Sequence, residues 1–305
     1  MTIPFKNISG NLRVPLFYAE LDNSRANTNP VPQRALLIGQ KTAAGTMTAN
    51  LPVVCQSTVD SRAAAGSGSI LAGMIDAYRA VDKNGEMWAL PLSDDGAAAA
   101  ATGAMTFSGS TTGAGTFYLY IGGRLVSVPV ASGQTAAQIA TTVAAAVNAG
   151  IGLPVTAAVD GVNTAKVNLT ARNAGECGND IDLRWMYRGA TAGEFPPPGA
   201  TVTFTGMTGG ATNPVLTTAL TNLNDTEFDF IVCSLTDATS LAAIAALLAD
   251  DIGRWSWTSQ IYGHCFVAKR GTAGQNATFA TALNNQHITN IPMFDTPTPP
   301  WRWAA

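Results

Sequence analysis

Charged side chains are scarce in this sequence, at 12% of its 305 residues, against ~25% in an average soluble domain. An isolated protein relies on surface charge to stay soluble, so a surface this neutral favours one that neighbouring molecules cover. The net charge is −3, and no run of basic residues occurs. Because clustered Lys and Arg carry most binding to phosphate backbones, we expect no nucleic-acid partner.

Long apolar segments are also missing. No stretch reaches the ~18 residues that a membrane-spanning helix needs, so we expect no membrane contact by this subunit. The first 13 residues lack the apolar core of a secretory signal peptide. The sequence therefore predicts a protein that remains in the cytoplasm of the cell that makes it.

Metal-binding and disulfide-forming residues are few. Histidine occurs only twice, at His264 and His287, which all but excludes a histidine-based metal site. None of the four cysteines forms a C-x-x-C pair, and Cys233 and Cys265 lie in apolar runs, which predicts buried free thiols rather than a disulfide framework. We expect no catalytic residues, no metal and no cofactor.

Alternating strand and helix signals fill the beginning and the end of the chain. Before residue 97 we predict strands at 34–39 and 87–92 with a helix at 67–80 between them, capped by Ser67 or Ser69. After residue 213 we predict strands at 228–233, 261–268 and 288–293. Helices are predicted from Asp237 or Thr239 to Ile252 and over 275–286. Strands that alternate with helices indicate a parallel sheet.

The pattern changes between residues 97 and 213. Residues 116–121 and 124–128 flank Gly122-Gly123, which predicts a hairpin with a tight turn. A capping box at Thr135 and Gln138 starts a predicted helix over 135–148, and further strands are predicted at 155–159, 166–171 and 181–185. The similar segments 105–109 and 202–206 are expected to pair where the chain enters and leaves an inserted domain.

Four stretches together resemble the Mu-like contractile bacteriophage tail sheath family. They are 8–27 (ISGNLRVPLFYAELDNSRAN), 33–40 (QRALLIGQ), 65–94 (AGSGSILAGMIDAYRAVDKNGEMWALPLSD) and 117–184, which includes TARNAGECGNDIDLR. Their order and their combination along one chain are specific to this family.

The resemblance implies an α/β fold with a subtilisin-like core, an inserted α+β domain and an extended N-terminal arm. The arm would span 1–32, the discontinuous core 33–96 plus 214–305, and the insertion 97–213, facing outward. The chain ends in Pro- and Trp-rich residues 297–305 without a closing element, so we expect a C-terminal domain beyond them.

The resemblance also implies a function. Sheath subunits stack as hexameric rings around a tail tube and contract to drive the tube through the host envelope. The implied partners are further copies of the chain and the tail tube, baseplate and tail terminator proteins. Assembly would take place in the host cytoplasm, and the product would be part of the virion. Terminal arms add strands to neighbouring sheets in such sheaths, and Leu16, Phe17 and Tyr18 are the candidate intersubunit strand.

Two other functions stay open at this point: a hydrolase on a subtilisin-like core, and a non-contractile adhesin or receptor-binding component of the virion. The segment around His264 faintly resembles a subtilase histidine segment. A serine nucleophile is also required, yet Gly271-Thr272-Ala273 has alanine at that place. We therefore predict a half-buried strand histidine with a hydrogen bond.

Three further features can be interpreted either as functional sites or as ordinary structural elements. Residues 66–69 (GSGS) before a helix suggest a phosphate site, but they lack the preceding strand of a dinucleotide motif, so we predict a helix-starting turn. The pairs Asp94-Asp95 and Asp250-Asp251 are predicted to be solvated turn or helix-end residues. The tryptophan pairs at 255/257 and 301/303 favour core packing or a subunit interface over a carbohydrate platform.

Overall fold

The computed structural model describes Phe17, Ala19 and residues 33–305. The chain divides into one unit over Met1–Pro32 and a second, compact unit over Gln33–Ala305. The predicted arm strand and its candidate residues Leu16 and Tyr18 lie outside the described residues. Phe17 is described, and its side chain is exposed.

Thirteen strands and seven α-helices occur in residues 33–305. The strands are β1 Arg34–Gln40, β2 Val53–Val54, β3 Glu86–Leu92, β4 Ala100–Gly109, β5 Gly115–Ile121, β6 Arg124–Val130, β7 Val155–Val159, β8 Lys166–Ala174, β9 Leu183–Trp185, β10 Ala200–Thr208, β11 Phe230–Cys233, β12 His264–Arg270 and β13 Ile288–Met293. The helices are α1 Thr58–Ala65, α2 Ile70–Val81, α3 Ala136–Ala149, α4 Thr217–Thr221, α5 Ala238–Leu247, α6 Ala273–Leu283 and α7 Pro300–Ala304. The molecule is therefore a mixed α/β protein, as predicted.

A six-stranded sheet with the order β13-β12-β11-β1-β3-β2 contains the predicted strands of both chain ends. All of its pairings are parallel except that of the two-residue β2 with β3. Residues 35–40 of β1 are all buried, because a central parallel strand is covered on both faces. β3 lies on one side of β1 in the sheet. On the other side of β1, the strands β11, β12 and β13 follow in chain order toward the opposite edge. Because such crossovers are almost always right-handed, this strand order predicts α2 on one face of the sheet and α5 and α6 on the other.

Two antiparallel sheets come from the middle of the chain, with the orders β10-β4-β8-β7 and β6-β5-β9. The similar segments at 105–109 and 202–206 do pair, within β4 and β10, where Phe107 lies opposite Val202 and Met105 opposite Phe204. The predicted capping box is present, since Thr135 and Gln138 each accept a hydrogen bond from the other's main chain. Buried side chains of all three sheets belong to one contiguous core.

Two sequence predictions about the later helices are wrong. The helix that Asp237 caps ends at Leu247 rather than Ile252. The main-chain N–H of Arg254 turns back to donate to the carbonyl of Leu247 at 2.8 Å, and the acidic pair at 250 and 251 disfavours continuing the negative end of a helix. Residues 300–304, for which no closing element was expected, form α7, with Pro300 in its first turn, where a missing N–H costs nothing.

The hairpin β5–β6 closes on the predicted Gly-Gly turn, with Ile121 paired to Arg124. Gly122 and Gly123 have φ values of 55° and 76°, the left-handed conformation that this turn type needs at both positions. A Cβ at Gly123 would also lie 3.1 Å from the Cα of Thr298. The turn therefore requires glycine both for its backbone conformation and for close packing.

Gly123→Ala is expected to lower the free energy of unfolding by more than Gly133→Ala does. Both glycines have positive φ, so each substitution costs ~1–2 kcal/mol in backbone strain. Only Gly123 has atoms within reach of the added methyl, since nothing lies within 4 Å of a Cβ at Gly133. Urea denaturation of the two variants measures the difference, and equal losses would contradict the close contact with Thr298.

Candidate assembly surfaces and the filled switch point

The switch point of the parallel sheet lies between β1 and β11, where the strand order reverses. Open α/β sheets usually bind ligands in a crevice at the carboxyl ends of such strands. Here the end of β1 is occupied by Gln40, which is fully buried. Its Nε2 donates to Asp94 Oδ1 at 2.7 Å and to the carbonyl of Ala174 at 2.6 Å. Beyond β11, the thiol of Cys177 donates to the carbonyl of Ser234 at 3.3 Å.

Asn173 and Asp94 complete this packing. The Nδ2 of Asn173 donates to the carbonyl of Lys41 at 2.9 Å and to Asp94 Oδ1 at 3.0 Å. The second carboxylate oxygen of Asp94 accepts from the N–H of Ala174 at 2.8 Å. Asp94 is thus the centre of a half-buried network, and its prediction as a solvated residue is wrong, because the segment at 173–174 folds over it. Its neighbour Asp95 does lie in a turn, where it accepts from the N–H of Ala97.

The N-terminus of α2 is closed by the same segment. Ser69 accepts from the N–H of Ala72 at 3.0 Å, and Asn173 Oδ1 accepts from the N–H of Ile70 at the same distance. Side chains of the protein therefore take two of the N–H donors that a phosphate would need. Residues 66–69 start a helix, as predicted.

His264 is a half-buried histidine at the start of β12, as predicted. Its Nε2 lies 2.7 Å from Thr289 Oγ1, and its ring lies edge-on to Phe266 with 5.0 Å between the centroids. Burial, with the nearby His287, lowers the pKa of His264. Thr272, in the segment considered for a nucleophile, caps α6 and shares a capping box with Gln275.

The four cysteines are free and buried, which confirms the prediction for Cys233 and Cys265. Burial raises the pKa of the Cys233 thiol to about 12 and raises that of Cys265 well above its usual value. Such thiols are not reactive nucleophiles at neutral pH. Within residues 33–305 no group of three or more His, Cys, Asp or Glu side chains is placed to hold a metal ion.

Each tryptophan pair combines a packed ring with an exposed ring. Trp255 stacks on His287 with 4.5 Å between centroids and donates Nε1–H to the carbonyl of Gly263, whereas Trp257 is 82% exposed. In α7, Trp301 is buried and Trp303 is 53% exposed. Each sequence pair therefore contributes one exposed ring, Trp257 or Trp303, and not two adjacent exposed rings.

The six-stranded sheet has one long open edge, at β13. The N–H groups of Cys265 and Gly271 donate to the carbonyls of His287 and Met293. The main-chain N–H and C=O groups of the odd-numbered residues of β13 therefore point toward β12, and those of the even-numbered residues point away from the sheet. Pro292 is one of the outward residues, where a strand tolerates the missing N–H. At the opposite edge, β2 has only two residues. β13 is therefore the longest main-chain edge of this sheet available for pairing.

Partly exposed aromatic residues lie on or next to the two strands that follow β13 in this sheet. Phe230 of β11, 40% exposed, and Phe266 of β12 have ring centroids 6.4 Å apart. Tyr262, just before β12, is 48% exposed. No helix within the described residues is both long and apolar enough to span a membrane.

Comparison with known proteins identifies a relative whose alignment extends over the whole of this chain. The chain is 38% identical over 307 aligned residues to the Mu-like prophage FluMu tail sheath protein of Haemophilus influenzae. The alignment covers 100% of this chain and 61% of the relative, so the chain spans about three fifths of the relative's length. No protein-family model matches the chain.

Among solved structures, the chain is similar to the sheath tail protein of Listeria innocua. It shares 12% sequence identity and a TM-score of 0.30, over 81% of this chain and 50% of that protein. The sequence relationship to the Haemophilus protein is the stronger result. It confirms, over the whole chain, the resemblance to Mu-like phage tail sheath proteins that the four sequence stretches indicate.

Proposed function

We propose that this chain is a structural subunit of a contractile phage tail sheath, which assembles as stacked hexameric rings around a tail tube and contracts to drive that tube through the host envelope. The observation that carries the proposal is the 38% identity to a tail sheath protein along the entire chain. The low content of charged residues supports a surface that neighbouring subunits cover.

The proposed subunit has the subtilisin-like core at 33–96 plus 214–305 and the inserted domain at 97–213. In support, every strand of the six-stranded sheet comes from residues 34–92 or 230–293, and the strands of the two antiparallel sheets come from 100–208. An outward position for the insertion leaves the core free to stack.

The N-terminal arm, residues 1–32, is proposed to add a strand to a neighbouring subunit, with Leu16, Phe17 and Tyr18 at its centre. The open edge of β13 is the acceptor that we propose. Main-chain hydrogen bonds to such an edge supply affinity with little dependence on sequence, and the apolar residues of the arm match the aromatic surface beside it. Strand pairing of this kind tethers subunits while their bodies rotate.

The proposed role involves no catalysis. The relative is named for a structural part. At the end of β1, where the switch point of an α/β enzyme usually contributes to its substrate crevice, Gln40, Asp94 and Asn173 instead bond to one another and to the main chain. The partners we propose are further copies of the chain and the tail tube, baseplate and tail terminator proteins, in a virion assembled in the host cytoplasm.

Gold-labelled antibodies against residues 97–213 test this proposal on phage particles that contain the protein. A sheath subunit repeats along the tail, so we expect label over its whole length, in extended and contracted particles alike. Label confined to fibres or to the tip of the tail would instead establish an adhesin and overturn the sheath assignment. Antibodies against the capsid provide the control for specific labelling.

A further inference from the structure

Three arginines from separate elements surround one aspartate on the α2 face of the molecule. Asp76 of α2 pairs with Arg62 of α1 at 3.5 Å and with Arg124 of β6 through its other carboxylate oxygen. Arg302 of α7 lies across the same helix, its Cγ and Cδ 3.7 and 3.8 Å from a Cβ built at Gly73. One carboxylate thus lies near three arginines but pairs with only two of them, which leaves a local excess of two positive charges in a chain of net charge −3.

Arg302 is the least satisfied of the three. Its guanidinium makes no hydrogen bond or ion pair within the described part of the chain, and its Nε is buried without a partner. Burial, followed by repulsion from Arg124, lowers the pKa of Arg302, and Asp76 opposes the change only in part. A half-buried cation with so little compensation destabilises the isolated fold, unless an anion from outside the chain approaches it.

Unpaired carboxylates occur elsewhere on the surface, on the loop before β11. Asp225 and Glu227 are exposed, and neither side chain makes a hydrogen bond or ion pair within residues 33–305. Both carboxylates act electrostatically on Arg254 and raise its pKa against the effect of burial, but the Arg254 side chain is buried and donates to the carbonyls of Asn224 and Thr226. These two acids therefore retain their full capacity to accept bonds from a partner.

We infer that the cluster of Arg62, Arg124 and Arg302 is a docking site for carboxylates of a second copy of this chain, with Asp225 and Glu227 as its complement. The inference rests on the proposed sheath function. The two patches belong to different elements with no described contact between them, and in the arrangement that we infer each copy presents the cluster to one neighbour and the acidic loop to another. Such a head-to-tail contact repeats as a ring or a helix, and charge complementarity of this kind fixes partner and register.

Arg302→Met tests the cluster, because methionine keeps much of the apolar stem and removes only the charge. The melting temperature of the unassembled variant is expected to equal or exceed that of the parent protein. Its assembly into sedimentable tubes is expected to need a roughly tenfold higher concentration, with a weaker dependence on salt. Lys83→Met, which removes one exposed cation beyond the C-terminus of α2, is the matched control and should change neither measurement.

A charge exchange tests the complement. The variants Arg62→Glu/Arg302→Glu and Asp225→Lys/Glu227→Lys are each expected to fail to assemble alone but to form tubes when mixed, since every contact in an alternating array then joins opposite charges. Circular dichroism establishes that both variants are folded. Normal assembly of either variant alone, or no tubes from a mixture of folded variants, would overturn the docking site while leaving the sheath function intact. Absence of tubes from the parent protein would contradict the sheath function and the inference together.

Discussion

Removal of residues 1–32 is expected to leave residues 33–305 folded and to abolish assembly into tubes. Gln33–Ala305 is a compact unit in its own right, with a hydrophobic core that combines side chains of its three sheets. The arm carries the proposed strand, whose main-chain bonds to a neighbour's β13 would link the subunits. Circular dichroism measures the fold of the truncated chain, and sedimentation with electron microscopy measures its assembly.

A shorter deletion provides the control for this experiment. Removing residues 1–7 retains the segment 8–20 and should preserve assembly. Replacing Leu16, Phe17 and Tyr18 with glycine and serine, at unchanged length, should reproduce the loss seen on removal of the whole arm. Tubes formed by the chain without residues 1–32, at the concentration at which the parent protein assembles, would refute the role of the arm.

Asp94→Ala is expected to lower the free energy of unfolding by about 3 kcal/mol, because hydrogen bonds to a charged group contribute ~1.5–3 kcal/mol each. The substitution removes the acceptor of bonds from Gln40, Asn173 and the N–H of Ala174. Gln40 and Asn173 each keep a second acceptor, the carbonyls of Ala174 and Lys41, which limits the loss. The N–H of Ala174 has no such alternative.

The adjacent residue is a matched control for this substitution. Asp95 accepts a single bond, from the exposed N–H of Ala97, so Asp95→Ala is expected to cost less than about 1 kcal/mol. Urea denaturation at neutral pH measures both variants. Similar losses for the two would show that Asp94 does not join β1 to the end of β8 as its contacts indicate.

Local patterns in the sequence predict most of the elements because their causes are local. The buried run at β1, the Gly-Gly hairpin and the capping box at Thr135 each depend on residues within a few positions of one another. The similarity of the two segments within β4 and β10 also predicts one long-range pairing, that of β4 with β10.

Features that depend on distant residues are not predictable in this way. Asp94 resembles any acidic turn residue until Asn173 and Ala174, about 80 positions later, fold over it. The helix α7 is too short for a periodic pattern, and it is held by packing of Trp301 against Gly73 of α2. The arginine cluster combines four elements, and no spacing in the sequence brings Arg62, Arg124 and Arg302 together.

The assignment to a sheath depends most directly on the protein's own assembly. Negative-stain electron microscopy of the purified chain, expressed with any codons that follow Ala305 in its gene, tests it across a range of salt concentrations. A sheath subunit is expected to form hollow, transversely striated tubes. Monodisperse globular particles under every condition would contradict the sheath assignment and return the adhesin and hydrolase alternatives to consideration.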